Sequence, residues 1–118
     1  MPGFNDVAWF EIGTPDPAAA ERFYGEVFGW TVAQDESAST DPAYRVINTG
    51  GSRGGLARAE KDYAVFTVLV EDVEAACKRV EAAGGTVQRP PAVNPVGVTF
   101  AHVLDPAGNH FSVFTPPK

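Results

Sequence analysis

The sequence predicts an α+β fold in which a βαβββ module occurs twice within one domain, residues 1–118. The main observation is a repeat: a segment that runs from an aspartate to a glycine 13 positions later occurs at Asp16–Gly29 and again at Asp72–Gly85. Each copy follows an apolar, β-branched run and precedes three further short runs of strand character. Repetition of this kind indicates a duplicated structural unit. We therefore expect two modules, at about residues 1–60 and 61–118.

Start and stop signals place the elements of the first module. Asp16 is a typical N-cap and Pro17 suits the first helical position, while Gly29 is a typical helix-ending glycine. The helix carries an apolar stripe with helical spacing, formed by Ala20, Phe23, Tyr24, Val27 and Phe28. The predicted strands are Val7–Ile12, Trp30–Ala33, Tyr44–Asn48 and Leu56–Ala59.

The second module repeats these signals. Asp72 is the N-cap, and the helix stripe consists of Val73, Ala76, Cys77, Val80 and Ala83. The predicted strands are Tyr63–Val70, Thr86–Arg89 and the two arms of a final hairpin, 96–103 and 110–115. Pro90 and Pro91 are expected to end the strand Thr86–Arg89, because proline cannot donate a backbone hydrogen bond. The hairpin turn is the segment 105–109, Asp-Pro-Ala-Gly-Asn, whose residue types all favour turns.

Composition excludes several classes of function. The 118 residues carry a formal net charge of −6, and their nine basic residues are scattered, which disfavours nucleic acid as a partner. No apolar run approaches the roughly 20 residues needed to span a bilayer. The first residues lack a basic region followed by an apolar core, so we expect no secretory signal. The single cysteine, Cys77, is expected to be a small buried residue. We therefore expect a cytoplasmic protein with no nucleic-acid and no membrane partner.

Alternation along the strands separates two faces. The first face is uniformly apolar and suits packing against the helices; it contains Phe10, Ile12, Phe66, Val68 and Val70. The second face mixes polar, aromatic and aliphatic side chains, as the lining of a ligand cavity would; it contains Trp9, Glu11, Val65, Thr67 and Leu69. The same parity in the final hairpin adds Val98, Phe100, His102, Leu104, His110, Ser112 and Phe114 to the second face.

Three motifs in this duplicated frame resemble the vicinal oxygen chelate superfamily, which includes glyoxalase I, extradiol dioxygenases and bleomycin-resistance proteins. They are the strand at 9–12 (WFEI), the helix end at 23–30 (FYGEVFGW) and the turn at 105–109 (DPAGN). The resemblance covers essentially the whole chain. It implies paired βαβββ modules that form a cup-shaped mixed sheet with the helices outside, a site inside the cup, and a homodimer.

The resemblance also implies positions for a divalent metal. Its ligands are expected seven residues before the aspartate that begins each helix and seven after the aspartate of the turn, where this chain has Trp9, Val65 and Ser112. An indole nitrogen only donates, valine has no lone pair, and a neutral serine is a poor ligand by itself. We therefore expect no metal at these positions, no cofactor, and none of the usual metal-assisted chemistry.

Two side chains on the second face are candidate catalytic residues. Glu11 is either a general base or an anion that contacts a cationic ligand, or else a carboxylate at the rim that pairs with an arginine or water. His102 is either a proton shuttle or a donor to a ligand, or else a hydrogen-bonded core histidine. A displaced metal site would combine these two residues with His110.

Three functions compete. The first is metal-independent binding of a small aromatic or cationic molecule, with ligand contacts from Trp9, Glu11, Val65, Thr67, Phe100, His102 and Ser112. The second is a lyase, isomerase or dioxygenase-like enzyme that uses Glu11 and His102, or a displaced metal site. The third is an interaction module whose cup is filled by its own side chains. The glycine-rich segment 50–55 is expected to connect two strands, with Arg53 as a contact for an anion.

Overall fold

The computed structural model describes residues 3–117, which contain two α-helices and eight β-strands. Along the chain these are β1 (Val7–Thr14), α1 (Pro17–Phe28), β2 (Thr31–Ala33), β3 (Arg45–Asn48), β4 (Arg53–Arg58), β5 (Tyr63–Leu69), α2 (Val73–Ala82), β6 (Thr86–Val93), β7 (Thr99–Leu104) and β8 (His110–Thr115). The α+β class and the repeated βαβββ order are thus confirmed. Neither helix is long and apolar enough to cross a membrane, within the part of the chain described here.

Internal contacts divide the described chain into two compact units. The first unit is Trp9–Ala64, and the second unit combines residues 3–8 with residues 65–117. In the first unit the strand order is β2-β3-β4-β1, with antiparallel pairing except between β4 and β1, which run parallel. In the second unit the order is β5-β8-β7-β6, and β5 pairs in parallel with β8.

Helix α1 begins and ends where its sequence predicts. The Asp16 carboxylate accepts a hydrogen bond from the Ala19 backbone N–H at 3.1 Å, which satisfies one of the free donors of the first turn. Gly29 adopts a left-handed conformation with φ of 72° and donates its N–H to the Gly25 carbonyl. On the sheet side, Trp30 packs against Phe10 and stacks with Tyr24 and Phe28.

The apolar stripe of α1 is only partly buried. Phe23, Val27 and Phe28 are 57%, 53% and 59% exposed, and no residue of α1 is fully buried. Three members of the predicted apolar stripe are therefore not core residues of this unit. The physical reason is geometric. Phe28 contacts Trp30 and Phe23 contacts the edge of Tyr24, and each of these side chains remains more than half exposed despite this contact.

Helix α2 in the second unit is packed in the expected way. Asp72 caps it through the Ala75 N–H, and its buried residues are Val73, Ala76 and Cys77. They join a core with strand residues Val70, Ala101, Val103 and Val113. Because these strand residues alternate with Phe100, His102 and Ser112, the parity that separated the two faces holds in this unit.

Strand β6 corrects the prediction that Pro90 and Pro91 end it. It continues to Val93 and pairs with β7, with register shifts between Val87 and Arg89 and between Arg89 and Ala92. β6 is the last strand in the order of its unit, where a missing N–H does not interrupt a second ladder. The irregular register around Arg89 accommodates the prolines without ending the strand.

Candidate functional site

A glutamate held by two tyrosines lies on the face of the first unit opposite α1. Glu11 is half-buried on β1. Its Oε1 accepts a hydrogen bond from the Tyr44 hydroxyl and its Oε2 one from the Tyr63 hydroxyl, both at 3.0 Å. Both donors are phenols, so each carboxylate oxygen has an O–H donor from an aromatic side chain. We call Trp9, Glu11, Tyr44 and Tyr63 the Glu11 cluster.

Two glycines make room for the tyrosine rings. A Cβ added at Gly55 would overlap the Tyr44 hydroxyl, and one added at Gly13 would overlap the Tyr63 ring. Gly55 is the direct strand partner of Glu11, and Gly13 follows two residues later on the same face of β1. Any larger residue at either position would therefore displace a tyrosine from the carboxylate.

Tyr44 remains a donor over the whole ordinary pH range. Burial raises the pKa of Tyr44 far above its usual value of 10.0, and the negative charge of Glu11 and their hydrogen bond raise it further. A hydrogen bond with Trp9 lowers this pKa by a smaller amount. The Tyr44 hydroxyl donates to Glu11, and Trp9 adjoins Tyr44 and adds a flat apolar surface to the cluster.

A groove of about 520 Å³ opens on the first unit beside the cluster. We call it the Arg53 groove; it is lined by Thr31, Ala33, Gln34, Asp35, Glu36, Val46, Asn48 and Arg53. Arg53 Nη2 lies 2.8 Å from Asp35 Oδ2, so the expected anion contact of Arg53 is met by a carboxylate of the chain itself. Hydrogen bonds from Ser37, and then Arg53, lower the pKa of Asp35.

The second unit places two histidines in contact. His102 Nδ1 and His110 Nε2 are 2.8 Å apart, so one ring nitrogen donates and the other accepts. His102 is 5% exposed. Burial lowers the pKa of His102 to about 4, with smaller contributions from His110 and Arg89. Burial also lowers the pKa of His110. Both rings are therefore neutral near pH 7.

The remaining predicted ligand contacts of the second unit are largely enclosed. Thr67 and Ser112 are 5% and 4% exposed, and their hydroxyls share a hydrogen bond of 2.7 Å. Val65 is also buried. Phe100 is half-buried, and the Arg89 guanidinium lies 5.3 Å from the centre of its ring, within range of a cation–π interaction.

The positions that the resemblance assigns to metal ligands do not fit a metal. The indole N–H of Trp9 only donates, Val65 has no lone pair, and the Ser112 hydroxyl is engaged with Thr67. Within residues 3–117, no three His, Cys, Asp or Glu side chains are grouped closely enough to hold a metal ion. Glu11 and His102 belong to different units, and their sharing of one cavity stays a prediction.

Sequence reasoning found Trp9 and Glu11 but missed Tyr44 and Tyr63. The tyrosines are 33 and 52 residues from Glu11 along the chain, and only the pairing of the strands brings them together. A weak signal was present in the sequence spacing, because Tyr44 lies two and four residues before the groove residues Val46 and Asn48, as residues on one face of a strand do. The glycines opposite the rings gave no signal of their own.

The chain matches known proteins over nearly its full length. A family model described as Glyoxalase/Bleomycin resistance protein/Dioxygenase superfamily matches residues 6–113. The chain is 34% identical to the anthracycline biosynthesis protein DnrV of Streptomyces peucetius, over 91% of this chain and 46% of that protein. It is 33% identical to CFP32 of Mycobacterium bovis, a protein named as a glyoxylase, over 92% of this chain and 43% of that protein. The chain thus spans about half the length of these curated relatives.

Solved structures share the fold. The Mn(II)-bound glyoxalase from Novosphingobium aromaticivorans has a TM-score of 0.64 and 24% identity, covering 98% of this chain and 41% of that one. Methylmalonyl-CoA epimerase from Mycobacterium tuberculosis has a TM-score of 0.63 and 15% identity, covering 100% of this chain and 94% of that one. At these identities the likeness establishes the backbone architecture and not a shared activity.

Proposed function

The chain belongs to the Glyoxalase/Bleomycin resistance protein/Dioxygenase superfamily, and from this premise we propose that it binds a small planar aromatic or cationic molecule without a metal ion. The binding surface is the face of the first unit that carries the Glu11 cluster. The single observation that carries the proposal is the half-buried Glu11 carboxylate, bracketed by two tyrosine hydroxyls and adjoined by Trp9.

The cluster combines the two features that such a ligand needs. The rings of Trp9, Tyr44 and Tyr63 provide flat apolar surface, on which a planar ligand stacks. The carboxylate between them attracts a cationic group or accepts a hydrogen bond from a ligand hydroxyl, and the aromatic rings favour a cation in the same place. Gly13 and Gly55 leave space for the tyrosine rings, whose hydroxyls donate to the carboxylate. The surface is therefore formed before a ligand arrives.

The names of the relatives favour an aromatic ligand. DnrV and DauV are both named anthracycline biosynthesis proteins, and anthracyclines are fused-ring aromatic compounds. Their chains are about twice as long as the matched segment. An anthracycline is therefore a suitable first probe for this chain.

Calorimetric titration with an anthracycline tests the proposal. We expect a dissociation constant in the micromolar range, and Glu11→Gln should weaken binding about tenfold, or about 1.4 kcal/mol. Glu26→Gln, an exposed change on α1, is the matched control and should bind like the wild type. Binding that is unaffected by Glu11→Gln would contradict the assigned surface.

Tryptophan fluorescence locates the ligand independently. Trp9 lies in the cluster, whereas Trp30 stacks with Tyr24 and Phe28 on the helix side. The ligand should therefore quench the emission of a Trp30→Phe variant and leave that of a Trp9→Phe variant nearly unchanged. The opposite pattern would place the ligand on the other face of the unit.

An enzyme is the second candidate, and the contact between His102 and His110 favours it. A buried histidine whose partner is half-buried can pass a proton inward, as general acid–base catalysis in a lyase or isomerase requires. Metal analysis of the purified protein tests the metal-independent proposal, which stoichiometric tightly bound metal would overturn.

We further propose that the protein forms a homodimer through α1. Phe23, Val27 and Phe28 form an exposed apolar surface on this helix, and surfaces of this kind mark protein contacts. The curated relatives contain about as much chain again as they share with this protein, which a second copy would match in length. In sedimentation experiments Val27→Glu should give monomers, whereas the control Val93→Glu, at an exposed position of β6, should remain dimeric. A monomeric wild type would contradict the proposal.

A further inference from the structure

The Arg53 groove lies on the same face as the Glu11 cluster. One row of strand partners runs from Glu11 on β1 through Gly55 and Val46 to Ala33 on β2. Val46 and Ala33 line the groove. Since neighbouring strands are about 4.8 Å apart, Val46 lies roughly 10 Å from Glu11 across two strand spacings. A ligand about 10 Å long could therefore occupy the cluster and the groove at the same time.

The lining of the groove mixes donors and acceptors. Asp35 and Glu36 only accept when ionised, Arg53 only donates, and the amides and hydroxyl do both; the latter are Thr31, Gln34 and Asn48. Two carboxylates and one guanidinium leave a net charge of −1, which disfavours a phosphate or carboxylate ligand. Alanine and valine supply apolar contact between the polar groups. This composition suits adjacent hydroxyl groups, which both donate and accept.

The ion pair orients the arginine for such a ligand. Asp35 is fixed by Ser37, whose hydroxyl and backbone N–H both donate to Oδ1 at 2.6 and 2.9 Å. Its other oxygen holds Arg53 Nη2 at 2.8 Å. This is one of the five N–H donors of the guanidinium, and the Arg53 side chain is 52% exposed. An arginine held by one edge presents its remaining donors in a fixed plane.

We infer that the Arg53 groove binds the glycosyl or polyhydroxyl part of a ligand whose aromatic part occupies the Glu11 cluster. The inference rests on the proposed function and extends it to a ligand class, an aromatic glycoside that is neutral or cationic. Arg53 and Asn48, which are strand partners on β4 and β3, determine the preference for the glycoside over the free aromatic compound.

Titration with an anthracycline glycoside and with its aglycone tests the inference. The wild type should bind the glycoside about tenfold more tightly than the aglycone. Arg53→Met should reduce this ratio to about one and leave the affinity for the aglycone unchanged. Arg58→Met is the matched control, because Arg58 is at the other end of β4 and does not line the groove; it should keep the tenfold ratio.

The outcomes separate the inference from the proposed function. Equal affinity of the wild type for both compounds, or a ratio that Arg53→Met leaves unchanged, overturns the groove as the glycosyl site while aglycone binding still supports the Glu11 cluster. Binding of neither compound overturns the proposed function and the inference with it. Loss of aglycone binding in Arg53→Met, with an unchanged circular dichroism spectrum, would show that Arg53 belongs to the aromatic site and also contradicts the inference.

Discussion

Equivalent positions of the two modules have opposite environments. Glu11 and Thr67 both lie five residues before the aspartate that begins the helix of their module. Glu11 is a half-buried carboxylate between two phenols, whereas Thr67 is a buried neutral hydroxyl satisfied by Ser112. The helices differ in the same sense, because α2 buries Val73, Ala76 and Cys77 and α1 fully buries none of its residues.

The difference shows what duplication preserves. The repeated frame of strand, cap and helix fixes the backbone of both modules, since capping and alternation are local properties. Side chains then give each copy its own role. In the second unit buried polar groups hydrogen-bond to one another and the helix packs into a core, whereas the first unit keeps a charged group and aromatic surface accessible. Ligand contacts and the partner surface should therefore concentrate in the first unit, and resistance to unfolding in the second.

The largest difference between the two units is expected when a charged residue is placed on α2 and on α1 in turn. Ala76→Glu should lower the free energy of unfolding by about 4 kcal/mol or more, because it places an unpaired carboxylate in the α2 core. At protein concentrations too low for the proposed dimer to form, Val27→Glu on α1 should change it by less than about 1 kcal/mol, since Val27 is already half exposed. Urea unfolding of both variants measures the difference. Similar losses in the two variants would show that α1 is as much a core helix as α2.

A smaller effect is expected at the glycines of the Glu11 cluster. Gly55→Ala should cost about 2 kcal/mol, because its Cβ would overlap the Tyr44 hydroxyl. In a Tyr44→Ala background the same substitution should cost much less, so that a double-mutant cycle gives a coupling of about 1 kcal/mol or more. Gly51→Ala is the control, since an added Cβ there meets open space. Additive effects of the two substitutions would contradict the claim that Gly55 leaves the space that the Tyr44 hydroxyl occupies.

The sequence predicted what depends on local pattern. Asp16, Asp72 and Gly29 have the capping roles that their residue types indicate, and strand parity placed His102 and Ser112 on one face. Such features need only a few neighbouring residues. The continuation of β6 through Pro90 was not predictable in this way, because a proline's cost in a strand depends on which side is paired.

The contents of the candidate site were harder to predict for the same reason. Strand alternation was enough to predict Glu11 as a site residue. Tyr44 and Tyr63 contact it only because strands far apart in the sequence pair with one another. The exposure of Phe23 and Val27 is likewise a tertiary result, because a helical stripe shows that a face is apolar and does not show what covers it.

The histidines of the second unit should make stability depend on pH. The pKa of His102 is about 4 in the folded chain, and its ordinary value is 6.5. The unfolded chain therefore binds the proton first, so stability should decrease as the pH falls from about 6.5 and level off near 4. After allowance for solvent screening we expect a loss of about 2 kcal/mol. Chemical denaturation at pH 7.5 and 4.5 measures it.

Substitution at His102 isolates its share of this dependence. His102→Gln should remove most of the acid-induced loss, whereas His110→Gln should keep most of it, because burial, the main cause of the low pKa of His102, remains. An acid response that is the same in the wild type and in His102→Gln would assign it to other groups. Glu11 and the first unit should not contribute to the difference between the two variants.

The smallest effect is expected where the second unit pairs neutral groups. Ser112→Ala should cost about 1 kcal/mol, because it leaves the buried Thr67 hydroxyl without its partner at 2.7 Å. The double variant Thr67→Val with Ser112→Ala removes both polar groups and should be no less stable than Ser112→Ala alone, as measured by urea unfolding. A double variant that loses the sum of both single effects would contradict this. Replacement of Ser112 should therefore change stability, whereas replacement of Glu11 should change ligand binding, because Ser112 satisfies a buried core residue and Glu11 lies on the proposed binding surface.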